Sequence, residues 1–423
     1  MPTTVQPMCT IVHMTSVAPV SAAVRPPFSR ATARRRTALF TVMLAVGIGT
    51  ASWVVRTPAV RDLLQASTAQ MGLILFGLSV GSMTGVLSSA SVVRRHGARL
   101  TIAVGAFTFA AGVGVVGVSA QLSWAPGAFA GLALVGLGIG LCEIAINVEG
   151  AAIEIASGRS VLPMLHGCFS LGTVLGAVAG IGLNAISFPV VWHLAGVAAA
   201  GAAAMAWAIP SVSADTGRAA QGSTNGPGWR AQLAQWRHRR IAFLGAIVLA
   251  LALAEGSASD WLPLLMVDGH GVSATAGSVV FAGFAAAMTV GRFAGEPLLA
   301  RFGNAAVLRA SALVSAAGIA VVVFSDSAVL AGFAVALWGL GAALGFPVTL
   351  SAAADSDDPT TSVAAVAVAG YLAFLVGPPL LGFLGEHVGL RGAMLVVLVV
   401  VAAASLLTSA AQPRAAVDRV AAA

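Results

Sequence analysis

Residues 85–119 read GVLSSASVVRRHGARLTIAVGAFTFAAGVGVVGVS, and residues 291–325 read GRFAGEPLLARFGNAAVLRASALVSAAGIAVVVFS. Each stretch is apolar, then basic around a glycine, then apolar again. A shift of 206 residues aligns Gly85 with Gly291, Arg95 with Arg301, Gly97 with Gly303, and Ala110-Ala111-Gly112 with Ala316-Ala317-Gly318. A constant offset over this length indicates an internal repeat.

The repeat extends beyond these stretches in both directions. Upstream, Asp62 aligns with Asp268 and Ser67 with Ser273 at the same offset. Downstream the offset falls to 201, which aligns Gly131 with Gly332 and Glu154 with Asp355. Each half holds six apolar runs. Because six is an even number, the halves are predicted to be parallel repeats related by an axis along the membrane normal.

The composition is that of a membrane protein. Hydrophobic residues make up 58% of the 423 residues and charged residues 9%, against about a quarter charged in soluble domains. Runs of about 20 apolar residues can cross a hydrocarbon core of about 30 Å. The sequence therefore predicts an all-α membrane protein of twelve transmembrane helices, helix 1 to helix 12, at 37–57, 68–92, 99–120, 126–150, 160–183, 189–210, 241–264, 272–299, 305–324, 328–353, 361–384 and 392–411.

The arginines predict the orientation. All 22 basic residues are arginine, and with the N-terminus inside only Arg56, Arg61 and Arg391 fall on the outer side. Arg292 lies within helix 8. Cytoplasmic loops carry such an excess, so both termini are expected in the cytoplasm of a multi-pass inner-membrane protein. The positive charge is then explained by orientation and by anionic lipid, without a nucleic-acid partner.

Five regions are predicted. They are a disordered cytoplasmic tail at 1–36, a six-helix bundle at 37–210, a cytoplasmic linker at 211–240, a second bundle at 241–411 and a tail at 412–423. Within the linker, Trp229, Leu233 and Trp236 share one helical face, which is typical of a short interfacial helix. An unstructured basic tether is the alternative.

Charged groups within the apolar runs are the main candidates for function, because an intramembrane carboxylate costs about 3 kcal/mol on insertion scales. Glu143 lies within helix 4, Asn147 lies one turn further on, and His166 enters helix 5 at a similar depth. A carboxylate beside a neutral histidine can exchange a proton, and Asn147 can bind a solute. The alternative is a structural hydrogen bond between helices 4 and 5. Glu255, near the middle of helix 7, is a further proton-coupling candidate.

The motifs resemble those of the major facilitator superfamily. The segments Gly85…Arg94-Arg95-His96-Gly97-Ala98-Arg99 and Gly291…Arg301-Phe302-Gly303 are similar to its loop signature, although Ser88 and Ser89 stand near the place of the usual aspartate. More specifically, Glu143-Ile-Ala-Ile-Asn147 with His166-Gly-Cys-Phe-Ser-Leu-Gly172 resembles the fucose permease branch. Its uncharacterised bacterial relatives add Asn147-Val-Glu149-Gly150 with Glu154, and Glu255-Gly256…Asp260-Trp261, both present here.

This resemblance implies further site residues. Fucose permease has a carboxylate in helix 1, where this chain has only Trp53 and Arg56, so fucose itself is not implied. Trp53 is a substrate-binding candidate. From their positions within helices 10 and 11, Trp338 and Tyr371 could each stack on a sugar ring, and packing is the preferred alternative for both. Helices 1 and 7 face each other across the cleft in this superfamily, so Arg56 and Asp260 are predicted to form an outer gate.

Other charges have two interpretations each. Arg292 and Glu296 lie four residues apart on helix 8, and a local pair is preferred to a gate. Glu149 and Glu154 lie near the inner mouth with Arg95 and Arg159, as inner-gate pairs or as solvated helix ends. Arg301 repeats Arg95 and is a gate candidate in the second half.

No motif for enzymatic chemistry is present. The sequence lacks a Gly-Lys-Ser/Thr phosphate loop, a metal-ligand spacing and a hydrolytic triad, and its three cysteines are scattered. We therefore expect no enzyme activity, cofactor or metal. The chain is predicted to be a monomeric, proton-coupled secondary transporter of a small polar solute. A proton-driven exporter of a metabolite or drug is the main alternative, and a non-transporting membrane sensor is a more distant one.

Overall fold

The computed structural model describes residues 29–157, 161–218 and 233–413, and these residues form helices and turns with no β-strand among them. In the first half, helices 1 to 6 span Arg30–Val54, Thr68–His96, Ala98–Gln121, Ala125–Ser157, Leu162–Ala185 and Val190–Ala208. A short helix, Thr57–Leu64, follows helix 1. In the second half the helical runs are Arg239–His270, Ala274–Phe324, Ala328–Ala342 with Gly345–Ala354, and Pro359–Ala404.

These runs make twelve crossings. In the described part of the chain, ten helices are long and apolar enough to span a membrane. Two of the runs contain 51 and 46 residues, about twice what a core of about 30 Å requires. Each is broken once by a glycine at φ 74°, Gly303 or Gly389. Helices 8 and 9 are therefore 274–302 and 304–324, helix 10 is Ala328–Ala354, and helices 11 and 12 are 359–388 and 390–404. The predicted twelve-helix fold is confirmed.

Local structure supports the repeat. Ser67 and Ser273, which align in sequence, cap helices 2 and 8 by accepting hydrogen bonds from the backbone N–H groups of Gln70 and Ala276. The aligned glycines Gly97 and Gly303 both adopt positive φ, 86° and 74°, where a side chain would be strained. The same turn thus joins helices 2 and 3 and helices 8 and 9.

Small residues bring the helices of each half into close contact. A Cβ added at Gly112 would lie 2.6 Å from the carbonyl oxygen of Gly131, so helices 3 and 4 touch through backbone atoms. Its repeat partner Gly318 would meet the carbonyl oxygen of Ala334 at 2.8 Å, between helices 9 and 10. Lipid provides no hydrophobic force between helices, so such close packing stabilises each bundle.

The two membrane faces differ in their arginines. We call the face that carries Arg94, Arg95, Arg239 and Arg301 the arginine-rich face, and the face that carries Arg61 and Arg391 the arginine-poor face. Trp192 and Trp207 lie toward opposite ends of helix 6 and are 67% and 69% exposed. Aromatic side chains at the two interfaces are typical of a protein surrounded by lipid.

The two halves meet toward the arginine-poor face. A Cβ at Gly72 of helix 2 would lie 2.9 Å from the Cα of Gly382 of helix 11. Deeper in the membrane, Ser79 Oγ donates to the carbonyl oxygen of Phe374 at 2.6 Å. Helix 8 contributes Ser278, whose Oγ donates to the carbonyl oxygen of Val55 at 3.0 Å.

The ends of the two bundles differ from the expected boundaries. Helix 1 begins at Arg30 rather than at residue 37, because Ser29 caps it by accepting a hydrogen bond from Thr32 N–H at 3.1 Å. In the linker, Trp229 lies outside the described residues, as does the tail from 414 onward. Trp236 packs against Gly245 of helix 7, where a Cβ would collide with the indole ring.

Candidate functional site

Charged and polar side chains of both halves face each other between the bundles. From the first half, Glu143 of helix 4 and His166 of helix 5 are exposed. Glu143 lies within electrostatic range of Glu255 and Tyr371, on helices 7 and 11. His166 lies within range of Arg292, on helix 8. We call the space bounded by these five residues the inter-half cleft.

Glu255 and Arg292 form an ion pair in the cleft. Arg292 Nη2 donates to Glu255 Oε1 at 3.0 Å, and the side chains are 45% and 18% exposed. The preferred prediction, a local pair between Arg292 and Glu296, is therefore wrong. Arg292 reaches helix 7 instead, because a charge facing the cleft gains more from a partly desolvated carboxylate than from the exposed Glu296 on its own helix.

Glu143 has no such partner. Within the described residues, neither a hydrogen bond nor an ion pair joins Glu143 to Asn147 or His166. The structural alternative, a hydrogen bond that joins helices 4 and 5 through Glu143, is not formed in this conformation. Asn147 is half-buried one turn along the same helix. The cleft therefore holds one paired carboxylate and one unpaired carboxylate.

Only one of the three aromatic candidates borders the cleft. Tyr371 is half-buried, lies near Glu143, and packs against Phe346 with ring centroids 6.0 Å apart. Trp338 is wholly buried within the second half, where its Nε1 donates to the carbonyl oxygen of Ala254 at 3.1 Å. Trp53 is 3% exposed in the packed interior. In this conformation Trp338 and Trp53 are packing residues, as preferred for Trp338, and a solute-binding role for either would require the surrounding helices to move.

The arginine-poor end of the cleft is closed by polar contacts between the halves. Arg61, in the short helix after helix 1, pairs with Asp268 at the end of helix 7 and with Asp62 at 2.9 Å. Nearby, the Ala69 N–H donates to Glu386 Oε2 at 3.0 Å, which joins helix 2 to helix 11. Sequence reasoning did not identify Arg61 as a gate residue. A signal was available, because Asp62, which follows Arg61, aligns with Asp268 in the repeat and both carboxylates therefore lie at the same membrane face.

The predicted gate between Arg56 and Asp260 is not formed. Arg56 points into its own bundle, where its Nε donates to His193 Nδ1 at 3.0 Å, and it is 2% exposed. Asp260 is half-buried in helix 7 and belongs to no ion pair of the described residues. The prediction was wrong because the chain turns at Val55 and Arg56, so Arg56 faces helix 6 rather than helix 7.

At the arginine-rich face, each half makes its own polar clamp. Arg35 Nε donates to Glu149 Oε1 at 2.7 Å, and this oxygen also accepts from Ser213 N–H beyond helix 6. In the second half, Arg240 Nη2 pairs with Asp355 at 3.4 Å, and its Nε donates to the Ala410 carbonyl beyond helix 12. Asp355 aligns with Glu154 in sequence, but the residue of the first half that plays the same structural role is Glu149.

The remaining gate candidates do not join the halves. Glu154 accepts hydrogen bonds from the N–H groups of Val161 and Leu162, at 2.6 and 3.0 Å, and so caps helix 5. Arg95 is exposed, and Arg301 lies over the ring of Phe302 at 5.2 Å. Arg159 lies outside the described residues. Glu149 is thus held within the first bundle by Arg35, and the predicted inner-gate role of Glu154 stays a prediction because Arg159 lies outside the described residues.

Proteins of known family share this architecture. The family model of the Major Facilitator Superfamily matches residues 161–368. An uncharacterised transporter of this type from Yersinia pestis is 27% identical over 383 residues, covering 87% of this chain and 92% of the relative. The membrane protein MosC of Rhizobium meliloti is 25% identical over 358 residues, 83% of this chain and 84% of its own length. The chain therefore resembles the major facilitator superfamily, through the family model over residues 161–368 and through relatives that cover most of its length.

Solved structures share the same fold at low identity. The nucleoside transporter NupG superposes with a TM-score of 0.74 and 12% identity, covering 89% of this chain and 99% of NupG. The fucose:proton symporter FucP of E. coli superposes with a TM-score of 0.61 and 18% identity, covering 90% of this chain and all of FucP. The predicted superfamily is thus confirmed, and the chain is a multi-pass membrane protein related to transporters rather than to enzymes.

Proposed function

We propose that this major facilitator protein is a proton-coupled secondary transporter of a small polar solute, located in the inner membrane with its arginine-rich face in the cytoplasm. One observation carries the proposal. Ionisable side chains of both halves lie within electrostatic range of one another, and among the described residues the ion pair that joins the halves, Arg61 with Asp268, lies at the arginine-poor face. A site lined by both halves, with a polar contact between them at one membrane face, is what alternating access predicts.

Glu143 is the proposed proton-coupling residue. It faces the cleft without a cationic partner, whereas Glu255 is held by Arg292. When the two apolar bundles close around it, an unpaired carboxylate loses its hydration at a large free-energy cost, and it can lower this cost by binding a proton. Because Glu255 lies opposite, closing the cleft brings two negative charges together, so protonation of Glu143 favours the closed cleft.

The solute is proposed to bind between Asn147, His166 and Tyr371. These side chains offer donors and acceptors on both halves, which suits a neutral, hydroxyl-rich or amide-bearing solute. Two proteins of the same fold, the nucleoside transporter NupG and the fucose:proton symporter FucP, support a polar solute of this size. A solute held by both halves would draw them together.

The test begins with a thermal-shift screen of the purified protein against sugars, sugar acids, nucleosides and amino acids, since a ligand of the folded state raises its melting temperature. The solute found is then used in proteoliposomes. We expect Glu143→Gln to abolish accumulation driven by an imposed pH gradient while retaining counterflow exchange. The Gln side chain keeps the shape but cannot cycle a proton.

Glu296→Gln is the matched control, because it makes the same change at an exposed site of helix 8, and it should accumulate solute normally. Asn147→Ala should weaken binding without uncoupling the transport that remains. Normal pH-driven accumulation by Glu143→Gln would remove Glu143 from the mechanism and make Glu255 the next candidate. If the wild-type protein moves solute only in the direction opposite to the imposed proton gradient, the exporter is favoured instead.

A further inference from the structure

One arginine of the second half lies on the lipid-facing surface without an acidic partner. Arg309 is exposed on helix 9, in the second turn from the arginine-rich face, and it belongs to no ion pair among the described residues. Leu313, one turn further on, is 52% exposed, and Leu406, just beyond helix 12, is 77% exposed. Such apolar side chains mark a surface that contacts lipid. A charge at the edge of the apolar layer is unfavourable unless water or an anion compensates it.

The repeat indicates that the fold itself does not need this charge. The offset of 206 residues aligns Arg309 with Ala103 of helix 3, and it aligns Leu308 with Ile102. Leu308 and Ile102 are both fully buried, so the packing position occurs in both halves. The charge beside it occurs only in the second half. Arg309 therefore has a role that is particular to its own surroundings.

The turn after helix 12 holds the guanidinium by one edge. Arg309 Nε donates to Thr408 Oγ1 at 3.3 Å, and this hydroxyl donates in turn to the carbonyl oxygen of Ser405 at 3.0 Å. Thr408 is fully buried, so the anchor belongs to the packed structure. One of the five guanidinium N–H groups is thus used, and the four on Nη1 and Nη2 remain for a ligand. Their fixed fork matches two oxygens of a phosphate.

A cavity of about 400 Å³ lies beside this guanidinium, between helix 9 and the turn after helix 12. Its lining includes Ala306, Arg309, Ala310 and Leu313 on helix 9, and Ser409 and Gln412 on the turn. Ser409 and Gln412 offer further donors and acceptors beside Arg309. Ala310 and Leu313 lie further along helix 9 and carry the lining into the membrane. Polar groups near the surface with apolar groups beneath them match a phospholipid headgroup and its acyl chain.

We propose that this cavity binds an anionic phospholipid, whose phosphate accepts hydrogen bonds from the Nη groups of Arg309. Ser409 and Gln412 contact the rest of the headgroup, and an acyl chain follows Ala310 and Leu313. Basic pockets between transmembrane helices are typical sites for anionic headgroups, and this one lies at the face that carries the arginine excess. Free phosphate could use the same donors but would gain nothing from the apolar stripe. The site lies outside the inter-half cleft and does not depend on the transported solute.

The experiment compares melting temperatures of the purified full-length protein in a neutral detergent at equal ionic strength. The additions are short-chain phosphatidylglycerol, short-chain phosphatidylcholine or sodium phosphate. We expect phosphatidylglycerol to raise the wild-type melting temperature by about 2 °C or more over phosphatidylcholine, and phosphate to leave it unchanged. Arg309→Gln should lose this difference. Arg301→Gln, which removes the same charge from an exposed site of the same face, should keep it.

Three results would overturn the proposal. Equal wild-type melting temperatures in the two lipids would mean that no anionic lipid is preferred. A preference that persists in Arg309→Gln would place the lipid elsewhere. An equal rise with phosphate alone would make the site one for a soluble anion.

If Arg309→Gln does not fold, Ala306→Trp decides, because it fills the cavity without changing the charge. It should lose the preference for phosphatidylglycerol, and Val329→Trp, at an exposed site of helix 10, should keep it. An unchanged preference in Ala306→Trp would refute the site.

Discussion

At the scale of single residues, the cleft separates two carboxylates that look alike in the sequence. Both Glu143 and Glu255 interrupt apolar helices, and the cost of burying a charge marks both as functional candidates. The structure gives Glu255 a guanidinium partner and leaves Glu143 without one. Their expected roles differ accordingly, since Arg292 compensates the charge of Glu255, whereas the charge of Glu143 has no cationic partner among the described residues.

A double-mutant cycle tests the pair of Glu255 and Arg292. We expect Glu255→Gln and Arg292→Gln each to lower the melting temperature, because each leaves one charge unpaired. The double variant should recover part of the loss, with a coupling energy of about 1 kcal/mol, since Arg292 is partly exposed to solvent screening. The measurement is thermal unfolding of all four proteins in one detergent. A double variant whose loss equals the sum of the two single losses would mean that the ion pair contributes nothing.

The partners of these charges could not be read from the sequence. Spacing along one helix predicts neighbours on that helix, and it led to Glu296 as the partner of Arg292. The true partner lies on helix 7, and its identity depends on how helices 7 and 8 are rotated against each other. The same holds for Arg56, whose direction is set by the turn after helix 1.

At the scale of helices, glycines decide where the two halves can touch. Gly72 on helix 2 and Gly382 on helix 11 bring the backbones of the two halves into direct contact near the arginine-poor face. A side chain at Gly72 would meet the carbonyl oxygen of Pro378 at 2.8 Å, so the two helices could not close completely. Gly283 on helix 8 faces open space and gives a matched control.

We expect Gly72→Leu to hold the arginine-poor end of the cleft open more often. The reporter is Gly167→Cys beside His166, in a protein whose native Cys9, Cys142 and Cys168 are serine. Labelling by an impermeant maleimide from the arginine-poor side should rise several-fold in Gly72→Leu and stay at the parent rate in Gly283→Leu. Equal labelling of both variants would show that this contact does not control access.

At the scale of the whole molecule, most of the fold could be predicted from the sequence. The repeat offset, the length of the apolar runs and the arginine bias led to twelve helices in two parallel halves. The aligned glycines Gly97 and Gly303 even adopt the same backbone conformation. The sequence pattern does not predict which end of the cleft is closed. The two halves can rock between both states as packed units, so one sequence is compatible with either state.

The orientation of the molecule has its own test. Asp215, beyond helix 6, and Asp326, between helices 9 and 10, have side chains that are 81% and 97% exposed and lie at opposite faces. In intact cells, an impermeant maleimide should label Asp326→Cys and should label Asp215→Cys only after the membrane is opened. Labelling of Asp215→Cys in intact cells would reverse the predicted orientation.

If the protein transports by alternating access, the halves must separate at the arginine-poor face in every transport cycle. A Cβ at Gly385 of helix 11 would lie 3.0 Å from Thr68 Cγ2 of helix 2, close enough for a disulfide to form between cysteines at these positions. The measurement is solute counterflow by Thr68→Cys/Gly385→Cys in the cysteine-free protein, before and after oxidation. We predict that cross-linking stops counterflow and that reduction restores it, while each single-cysteine variant is unaffected by oxidation. Full counterflow by completely cross-linked protein would contradict the account.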